Sequence, residues 1–178
     1  GLSTPVLLST NADDMIELAF AGDLNGDLWM FEIDQVSPSN TTVTKVYDGS
    51  ADQPITNAPA VGEHPTEDGY IVYFGTGSIL STADALNDGE NPVGSGNFTD
   101  KQAVHGIWVD TSDMAVLKGN LPYTSSDLQT QTLAEASKVF VTGNAAEKVR
   151  IVPSSNPVYY RCPFGISPCP TLYKGWKV

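Results

Sequence analysis

Apolar and β-branched residues recur along this chain with a period of two rather than the 3.6 of an α-helix. They form short runs that are separated by clusters of Gly, Pro, Asn and Asp. Such runs between turn-forming residues predict β-strands. The runs that carry this prediction are TPVLL, IELAFA, DLWMFEI, TTVTKVY, YIVYFG, HGIWVD and MAVL. The pattern therefore predicts an all-β protein.

Two segments depart from this pattern. In Ser126 to Phe140, SDLQTQTLAEASKVF could form a helical turn or two, but its Gln-Thr-Gln-Thr alternation equally favours an extended strand. The sequence leaves both interpretations open. The stretch from Thr82 to Gln102 is rich in Gly, Asn, Asp and Pro, which is typical of a surface loop.

The segment AGDLNGDLWMFEI, residues 21–33, also permits two interpretations. Asp23, Asn25 and Asp27 lie at every second position, as ligands do in the first half of a calcium-binding loop. The dipeptide Asn25-Gly26, however, lies between two runs of strand-forming residues. It is the strongest short signal for a β-hairpin, because Asn and Gly tolerate the positive φ angles of a two-residue type I′ turn.

The spacing after the turn decides between these interpretations. A calcium loop that began at Asp23 would need glycine at its sixth position and a bidentate carboxylate, usually Glu, at its twelfth. The chain has Leu28 and Asp34 there. The sequence therefore favours the hairpin, with Asp23 and Asp27 lining its turn.

A second oxygen-rich segment, STNADDMIE, is the better candidate for a metal site. Ser9, Asn11, Asp13 and Glu17 occupy positions one, three, five and nine of a loop, and the carbonyl of Met15 is available at position seven. Hard oxygen ligands at alternating positions can surround one calcium ion. The alternative is an Asx-rich turn that leads into the hairpin.

Charge and hydropathy exclude some partners. The 178 residues contain 21 acidic and 9 basic side chains, which gives a formal net charge of −12. This charge repels phosphate backbones, so nucleic acid is excluded as an expected partner.

No apolar stretch approaches the roughly 20 residues of a spanning helix. The segment GLSTPVLLST lacks the basic head of a signal peptide, which we interpret as a mature or excised chain.

The two cysteines, Cys162 and Cys169, flank a short Pro-rich and Gly-containing segment, RCPFGISPCP. This arrangement predicts a disulfide and hence an oxidising compartment, and two buried thiols are the alternative. The histidines, His64 and His105, have no ligand-like spacing to the cysteines, so the sequence argues against a zinc site.

No catalytic constellation stands out in the sequence. A quinone-dependent propeller dehydrogenase would use a catalytic Asp, for which Asp23 or Asp27 could be considered, but no Trp-bearing repeat accompanies them. The chain has no G-x-S-x-G motif, and we expect His64 to lie in a turn and His105 to have a packing role. We therefore predict a protein that is not an enzyme.

The order of motifs along the chain resembles a known family. LAFAGDLNGDLWMFEI is followed by PITNAPAVG, YIVYFGTGSIL, HGIWVD, VRIVPSSNPVYY and KGWKV. This order is similar to the C-terminal β-propeller of the PilY family of type IV pilus biogenesis and tip proteins. Single pieces such as AGDLNGDLW occur in many quinoprotein-like propellers, whereas the order of the pieces is more specific.

The resemblance implies a fold, a location and a role. The fold is a modified seven-bladed propeller, located extracellularly at the pilus tip or on the outer surface. The role is in pilus assembly, retraction control, adhesion and surface sensing. In the family, a loop before the first hairpin holds calcium. The matching positions here are Ser9, Asn11, Asp13, the Met15 carbonyl and Glu17. This chain departs from the family pattern at two positions. Ser9 stands where the family has Asp, and Asp14 stands where the family has Gly.

The length of the chain limits how much of a propeller it can form. A four-stranded blade uses roughly 40 to 50 residues, so residues 1–178 correspond to about three to four blades of an incomplete or fragmentary propeller. The expected partners are other pilus components, such as minor pilins, or the remainder of its own propeller. The alternatives are a fragment of a propeller quinoprotein dehydrogenase and a metal-free structural adhesin module.

Overall fold

The computed structural model of the protein describes residues 1–11, 15–77, 102–132, 134–138, 147–151 and 156–178. In these residues, strands dominate, and one short α-helix, α1 (Met114–Gly119), accompanies two 3-10 turns, Pro38–Asn40 and Ser125–Asp127. The all-β prediction is thus confirmed. The strands are β1 (Val6–Leu8), β2 (Leu18–Gly22), β3 (Leu28–Glu32), β4 (Thr42–Tyr47), β5 (Ala60–Glu63), β6 (Tyr70–Gly75), β7 (Val104–Val109), β8 (Gln129–Thr130), β9 (Ala134–Lys138), β10 (Glu147–Ile151) and β11 (Gly175–Lys177).

The first sheet has the four-stranded antiparallel meander of a propeller blade, in the order β1-β2-β3-β4. Leu18 pairs with Leu8 on one side and with Glu32 on the other. All five residues of β2 are buried. This burial follows from the continuous apolar run LAFAG, which can be covered on both of its faces.

The second sheet has the order β5-β6-β7-β11-β8. Its first three strands follow one another along the chain, whereas β11 arrives from more than 60 residues later and pairs antiparallel with β7 and parallel with β8. Strands β9 and β10 pair with each other as a separate antiparallel hairpin. Most of the predicted loop from Thr82 to Gln102 lies outside the described residues, and the count of three to four blades stays a prediction.

One apolar core joins the two sheets. Within it, the Tyr47 ring of β4 contacts both the Phe74 ring of β6 and the His105 ring of β7, with centroid distances of 5.7 and 5.2 Å. A register shift between Leu28 and Trp29 in the β3–β4 pairing accompanies the burial of two consecutive residues, Val46 and Tyr47. The core contains Leu18, Phe20, Leu28, Met30, Val46, Tyr47, Ile55, Val72, Phe74, Ile107, Val109, Leu117, Tyr123 and Leu128.

His105 is a structural member of this core. It is 1% exposed and its ring stacks on Phe74 at 4.8 Å between centroids. Its Nε2 lies 3.5 Å from the Tyr47 hydroxyl. Burial, assisted by the positive charge of Lys177, lowers the pKa of His105 to about 4. The geometry agrees with the packing role predicted from the sequence.

The predicted hairpin between β2 and β3 is present, but the predicted type I′ turn is wrong. The Gly26 N–H donates to the Asp23 carbonyl at 3.1 Å, and the Asp23 N–H donates to the Asp27 carbonyl at 3.0 Å. The connection therefore has three residues, with Gly26 at φ +81°. A three-residue hairpin of this kind places its positive φ angle on the last loop residue, which here is the glycine.

The carboxylate of Asp23 organises this turn. One of its oxygens accepts hydrogen bonds from the N–H groups of Asn25 and Asp27 at 2.8 and 3.1 Å, and the other accepts the Trp29 indole N–H at 2.9 Å. Both oxygens thus have protein donors. The prediction that Asp23 lines a turn fits this geometry.

Asp27 holds the hairpin against the next part of the chain. Its carboxylate is 2.7 Å from the Lys45 ammonium and accepts the Gly49 N–H at 3.0 Å. Lys45 also contacts the exposed Asp48 at 2.9 Å. Hydrogen bonds to Asp27 and then Asp48 raise the pKa of Lys45 above its usual value. Asp27 is a buried charge with two partners.

One predicted strand is wrong. MAVL forms the start of α1, because the Asp113 side chain accepts the N–H groups of Ala115 and Val116 and so caps the first turn. Leu117 is the buried residue of this helix. In the ambiguous segment from Ser126 to Phe140, the described residues include the end of the 3-10 turn Ser125–Asp127 and the strands β8 and β9.

We predict that the Asp27 carboxylate contributes more to stability than the Asp48 carboxylate, although both contact Lys45. Replacing Asp27 with Asn removes a buried, hydrogen-bonded charge and should lower the free energy of unfolding by about 1 to 3 kcal/mol. The matched variant Asp48→Asn removes an exposed partner and should cost at most about 1 kcal/mol. Urea denaturation measures both, and equal losses would contradict the prediction.

We also predict that His105 makes the fold sensitive to acid. Its pKa is lower in the folded state than in the unfolded chain, so it destabilises the fold only as pH falls below about 6.5. Its neutral form is favoured in the fold, and roughly 3 kcal/mol of stability should be lost by pH 4. In His105→Gln this loss is absent, so the stability gap between variant and wild type should narrow from pH 7 to pH 4. A constant gap in urea denaturation would refute the prediction.

Candidate functional site

The predicted metal loop lies between β1 and β2. Its ends are held together because the Glu17 N–H donates to the Leu8 carbonyl at 3.2 Å, next to the Leu8–Leu18 strand pair. The Glu17 carbonyl accepts the Ile33 N–H of the neighbouring strand region at 2.8 Å. The backbone of Glu17 is therefore fixed by the first sheet, and its side chain extends from a rigid position.

The Glu17 carboxylate closes the loop. One oxygen accepts the Thr10 N–H at 2.7 Å and the Thr10 hydroxyl at 3.2 Å, and the other accepts the Asn11 side-chain amide at 2.8 Å. The Ser9 hydroxyl donates to the Asn11 carbonyl at 2.9 Å. The loop thus collects carboxylate, amide, hydroxyl and carbonyl groups within a few Ångström.

The structure brings together three of the five predicted ligands, Ser9, Asn11 and Glu17. Asp13 lies outside the described residues, and the Met15 side chain is 41% exposed. Among the described residues, no group of three His, Cys, Asp or Glu side chains is placed to hold a metal. The donor chemistry fits calcium, which prefers oxygen ligands, but Glu17 would have to exchange its bonds to Thr10 and Asn11 for the ion.

An open groove with a volume of about 370 Å³ lies beside this loop. Glu17, Glu32, Asp34 and Lys118 contribute to its lining. Lys118 pairs with Glu32 at 2.8 Å and so neutralises part of its charge. Hydrogen bonds from the Ser37 N–H and the Asn40 side chain lower the pKa of Asp34. The Asp34 carboxylate thus stabilises a neighbouring turn. It is not placed as the twelfth-position ligand of a calcium loop that begins at Asp23.

The histidine predicted to lie in a turn, His64, does so. Its Nδ1 accepts the N–H groups of Thr66 and Glu67 at 3.2 and 2.9 Å, so in this arrangement the neutral ring carries its proton on Nε2. Its ring meets Tyr160 edge-on at 4.4 Å and lies 5.7 Å from Trp108. Burial lowers the pKa of His64. His64 is therefore part of an aromatic cluster.

This aromatic cluster is the part of the molecule that sequence reasoning missed. It joins the segment around Tyr160 to β7, and the Arg161 guanidinium lies 5.8 Å above the Trp108 ring. Arg161 also pairs with Glu67 at 2.7 Å. A separation of about 50 residues between Trp108 and Tyr160 leaves no periodic signal in the sequence.

The predicted disulfide between Cys162 and Cys169 is confirmed, with a Cα–Cα distance of 5.4 Å. In the sequence, Cys162 comes directly after Tyr160 and Arg161 of the aromatic cluster. Within the described residues, none of the helices has the length and apolar character required to cross a membrane.

The first sheet has an apolar outer face, on the side away from the core. Leu7, Trp29, Phe31 and Val43 alternate there with residues that face inward. Leu7 and Val43 are 56% and 54% exposed. A groove of about 610 Å³ is lined by Leu2, Leu24, Trp29, Phe31 and Val43, together with Gly1, Asp23 and Asn25. A propeller blade needs such a face, because adjacent blades pack against one another.

Comparisons with known proteins agree with this architecture. A sequence profile of the family described as "PilY1 beta-propeller domain" matches residues 1–145. The type IV pilus biogenesis factor PilY1 of Pseudomonas aeruginosa is 34% identical over 184 residues, covering 89% of this chain and 15% of that protein. A PilY1 homolog of Xylella fastidiosa is 27% identical over 143 residues, covering 72% of this chain and 9% of that protein.

A solved structure extends the similarity to the fold. The crystal structure of the Pseudomonas aeruginosa PilY1 C-terminal domain aligns with a TM-score of 0.72 and 30% identity, covering 99% of this chain and 38% of that chain. The chain thus spans about 15% of the length of its Pseudomonas relative. The resemblance inferred from motif order is confirmed, and the fold is that of part of a β-propeller. The chain belongs to the PilY1 β-propeller family.

Proposed function

We propose that this chain is part of a β-propeller that serves type IV pilus biogenesis as an assembly and adhesion module on the outer cell surface, at the pilus tip. The observation that carries the proposal is the match of 89% of the chain to a type IV pilus biogenesis factor. The module works by binding, and catalysis has no part in the proposal. Its partners are minor pilins or other pilus components, together with the remainder of its own propeller.

Two features of the molecule support this role. The apolar outer face of the first sheet, with Trp29 and Phe31, suits contact with a further blade, and the aligned relative is considerably longer than this chain. The disulfide between Cys162 and Cys169 suits an oxidising, extracytoplasmic compartment. The net charge of −12 disfavours nucleic acid as a partner.

The second part of the proposal is that calcium binds the loop of Ser9, Asn11, Asp13, Met15 and Glu17. The support is the set of oxygen donors that the described loop residues collect around the Glu17 carboxylate. When bound, calcium would replace hydrogen bonds as the link that closes the loop between β1 and β2. Its effect would be to stiffen one edge of the first sheet.

The pilus role is tested in a strain that encodes the protein. We expect deletion of the gene to reduce surface pili, and Phe20→Asp to do the same, because a charge at this fully buried position disrupts the core. The matched variant Val36→Asp changes a residue that is 90% exposed and should keep wild-type piliation. Electron microscopy and sheared pilin yield measure the result. Unchanged piliation after deletion would overturn the proposal.

Calcium binding is tested by calorimetric titration of the purified protein. We expect heat in the wild type and at least tenfold weaker binding in Glu17→Gln and Asp13→Ala, because each loses a charged oxygen ligand. The control Glu63→Gln alters an exposed acid of β5 and should bind as the wild type does. Calcium should raise the melting temperature of the wild type and leave that of the two loop variants unchanged. Absence of heat in the wild type would instead favour a metal-free module.

A further inference from the structure

The segment closed by Cys162 and Cys169, hereafter the disulfide loop, precedes β11 of the second sheet. Phe164 in this loop is fully exposed and Ile166 is 50% exposed. Among the described residues, Phe164 is the one aromatic side chain with such exposure. Single exposed aliphatic residues are ordinary on protein surfaces, but a fully exposed phenyl ring on a closed loop requires an explanation.

The backbone of the disulfide loop places Phe164 at its tip. The Ile166 N–H donates to the Pro163 carbonyl at 3.3 Å, which forms a four-residue turn. Gly165 follows Phe164 with φ +81°, as the third position of a type II turn requires. Phe164 therefore occupies the second position of the turn, at the outermost point of the loop.

The base of the disulfide loop is fixed to the sheet. On one side, Tyr160 packs edge-on against His64 and Trp108, and Arg161 pairs with Glu67. The two chain segments that flank the loop are joined by a hydrogen bond, in which the Tyr173 N–H after the loop donates to the Tyr159 carbonyl before it at 2.8 Å. Because the loop is already ordered, binding through it loses less conformational entropy than binding through a free segment.

The chemistry of the disulfide loop defines its partner. No charged residue occurs from Cys162 to Tyr173, in a chain that carries 30 charged side chains. The central part of a protein interface is typically depleted of charge and enriched in aromatic residues, which insert into pockets of the partner. A membrane surface fits less well, because anionic headgroups attract clusters of basic residues and this chain has a net charge of −12.

We propose that the disulfide loop is a protein-docking element that inserts the Phe164 ring into an uncharged, apolar pocket of a partner protein. Ile166 provides a second apolar contact beside the ring. The inference rests on the proposed function as a binding module and assigns the place where a partner binds. It is independent of calcium, since the metal loop is on the other sheet.

The first test introduces the photoreactive residue p-benzoylphenylalanine at position 164 of the full-length protein in its own cells. A second variant carries the same photoreactive residue in place of Val36, which is 90% exposed and lies in a different loop. We expect a discrete crosslink to one partner protein, identified by mass spectrometry with the crosslinked residue in an apolar pocket, from position 164 alone. Crosslinks to lipid, to another copy of the same protein, or equally from position 36 would overturn the proposal.

The second test measures the affinity of the full-length protein for the identified partner. We expect Phe164→Ser to weaken binding at least tenfold, because the ring is lost from the pocket, and Phe164→Leu to weaken it less. Val36→Ser should change affinity less than twofold. Since Phe164 makes no core contact, the melting temperature of Phe164→Ser should equal that of the wild type. Unchanged affinity in Phe164→Ser, or binding of vesicles of phosphatidylethanolamine and phosphatidylglycerol that depends on Phe164, would refute the docking role.

These outcomes are separate from those of the pilus proposal. If gene deletion abolishes pili while Phe164→Ser leaves partner affinity unchanged, the docking inference fails and the pilus role stands. If deletion leaves pili intact while the crosslink at position 164 and its loss of affinity persist, the pilus role fails and the docking element stands.

Discussion

The contact of Tyr47 with Phe74 and His105 is the interaction on which the rest of the structure depends. It joins β4 of the first sheet to β6 and β7 of the second, in a core whose members are almost fully buried. The polar atoms of this contact are limited to one hydroxyl and one imidazole, 3.5 Å apart. The neutral state of the imidazole is therefore a condition for the packing of the two sheets, because a buried charge without a partner is costly.

Many carboxylates of this acidic chain have structural tasks. Asp23 orders the hairpin turn, Asp113 caps α1, and Glu17 closes the loop between β1 and β2. Each accepts at least one backbone N–H group, and Asp27 does the same while pairing with Lys45. A high content of acids is thus compatible with a stable fold, since these charges are compensated locally.

Much of the fold could be predicted from the sequence, because strand runs and the hairpin are local signals. The period of two located β2, β3, β4, β6 and β7, and Asn25-Gly26 located the hairpin, although the three-residue turn depends on where the strand pairing ends. The helix α1 was missed because its cap at Asp113 and its single buried Leu117 are weak signals beside an apolar run.

The candidate site was less accessible to prediction. The spacing of Ser9, Asn11 and Glu17 in the sequence suggests oxygen ligands. Whether the Glu17 carboxylate faces an ion or Thr10, however, depends on the geometry of the loop. The aromatic cluster around Trp108 depends on contacts between residues far apart in sequence, as does the place of β11. Such nonlocal contacts leave no periodic trace, so they become visible only in the folded molecule.

The internal position of β11 in the second sheet, between β7 and β8, has a consequence for how the chain reaches its fold. The first sheet consists of four consecutive strands and can assemble from residues that are close in sequence. The second sheet requires Gly175–Lys177 to enter between β7 and β8, and Gly106 and Gly175 approach so closely that a side chain on Gly175 would collide with backbone. Because contacts between distant residues form slowly, the first sheet can provide a template on which the second is completed. During synthesis, β7 thus leaves the ribosome with one edge exposed, and it stays so until more than 60 further residues have followed.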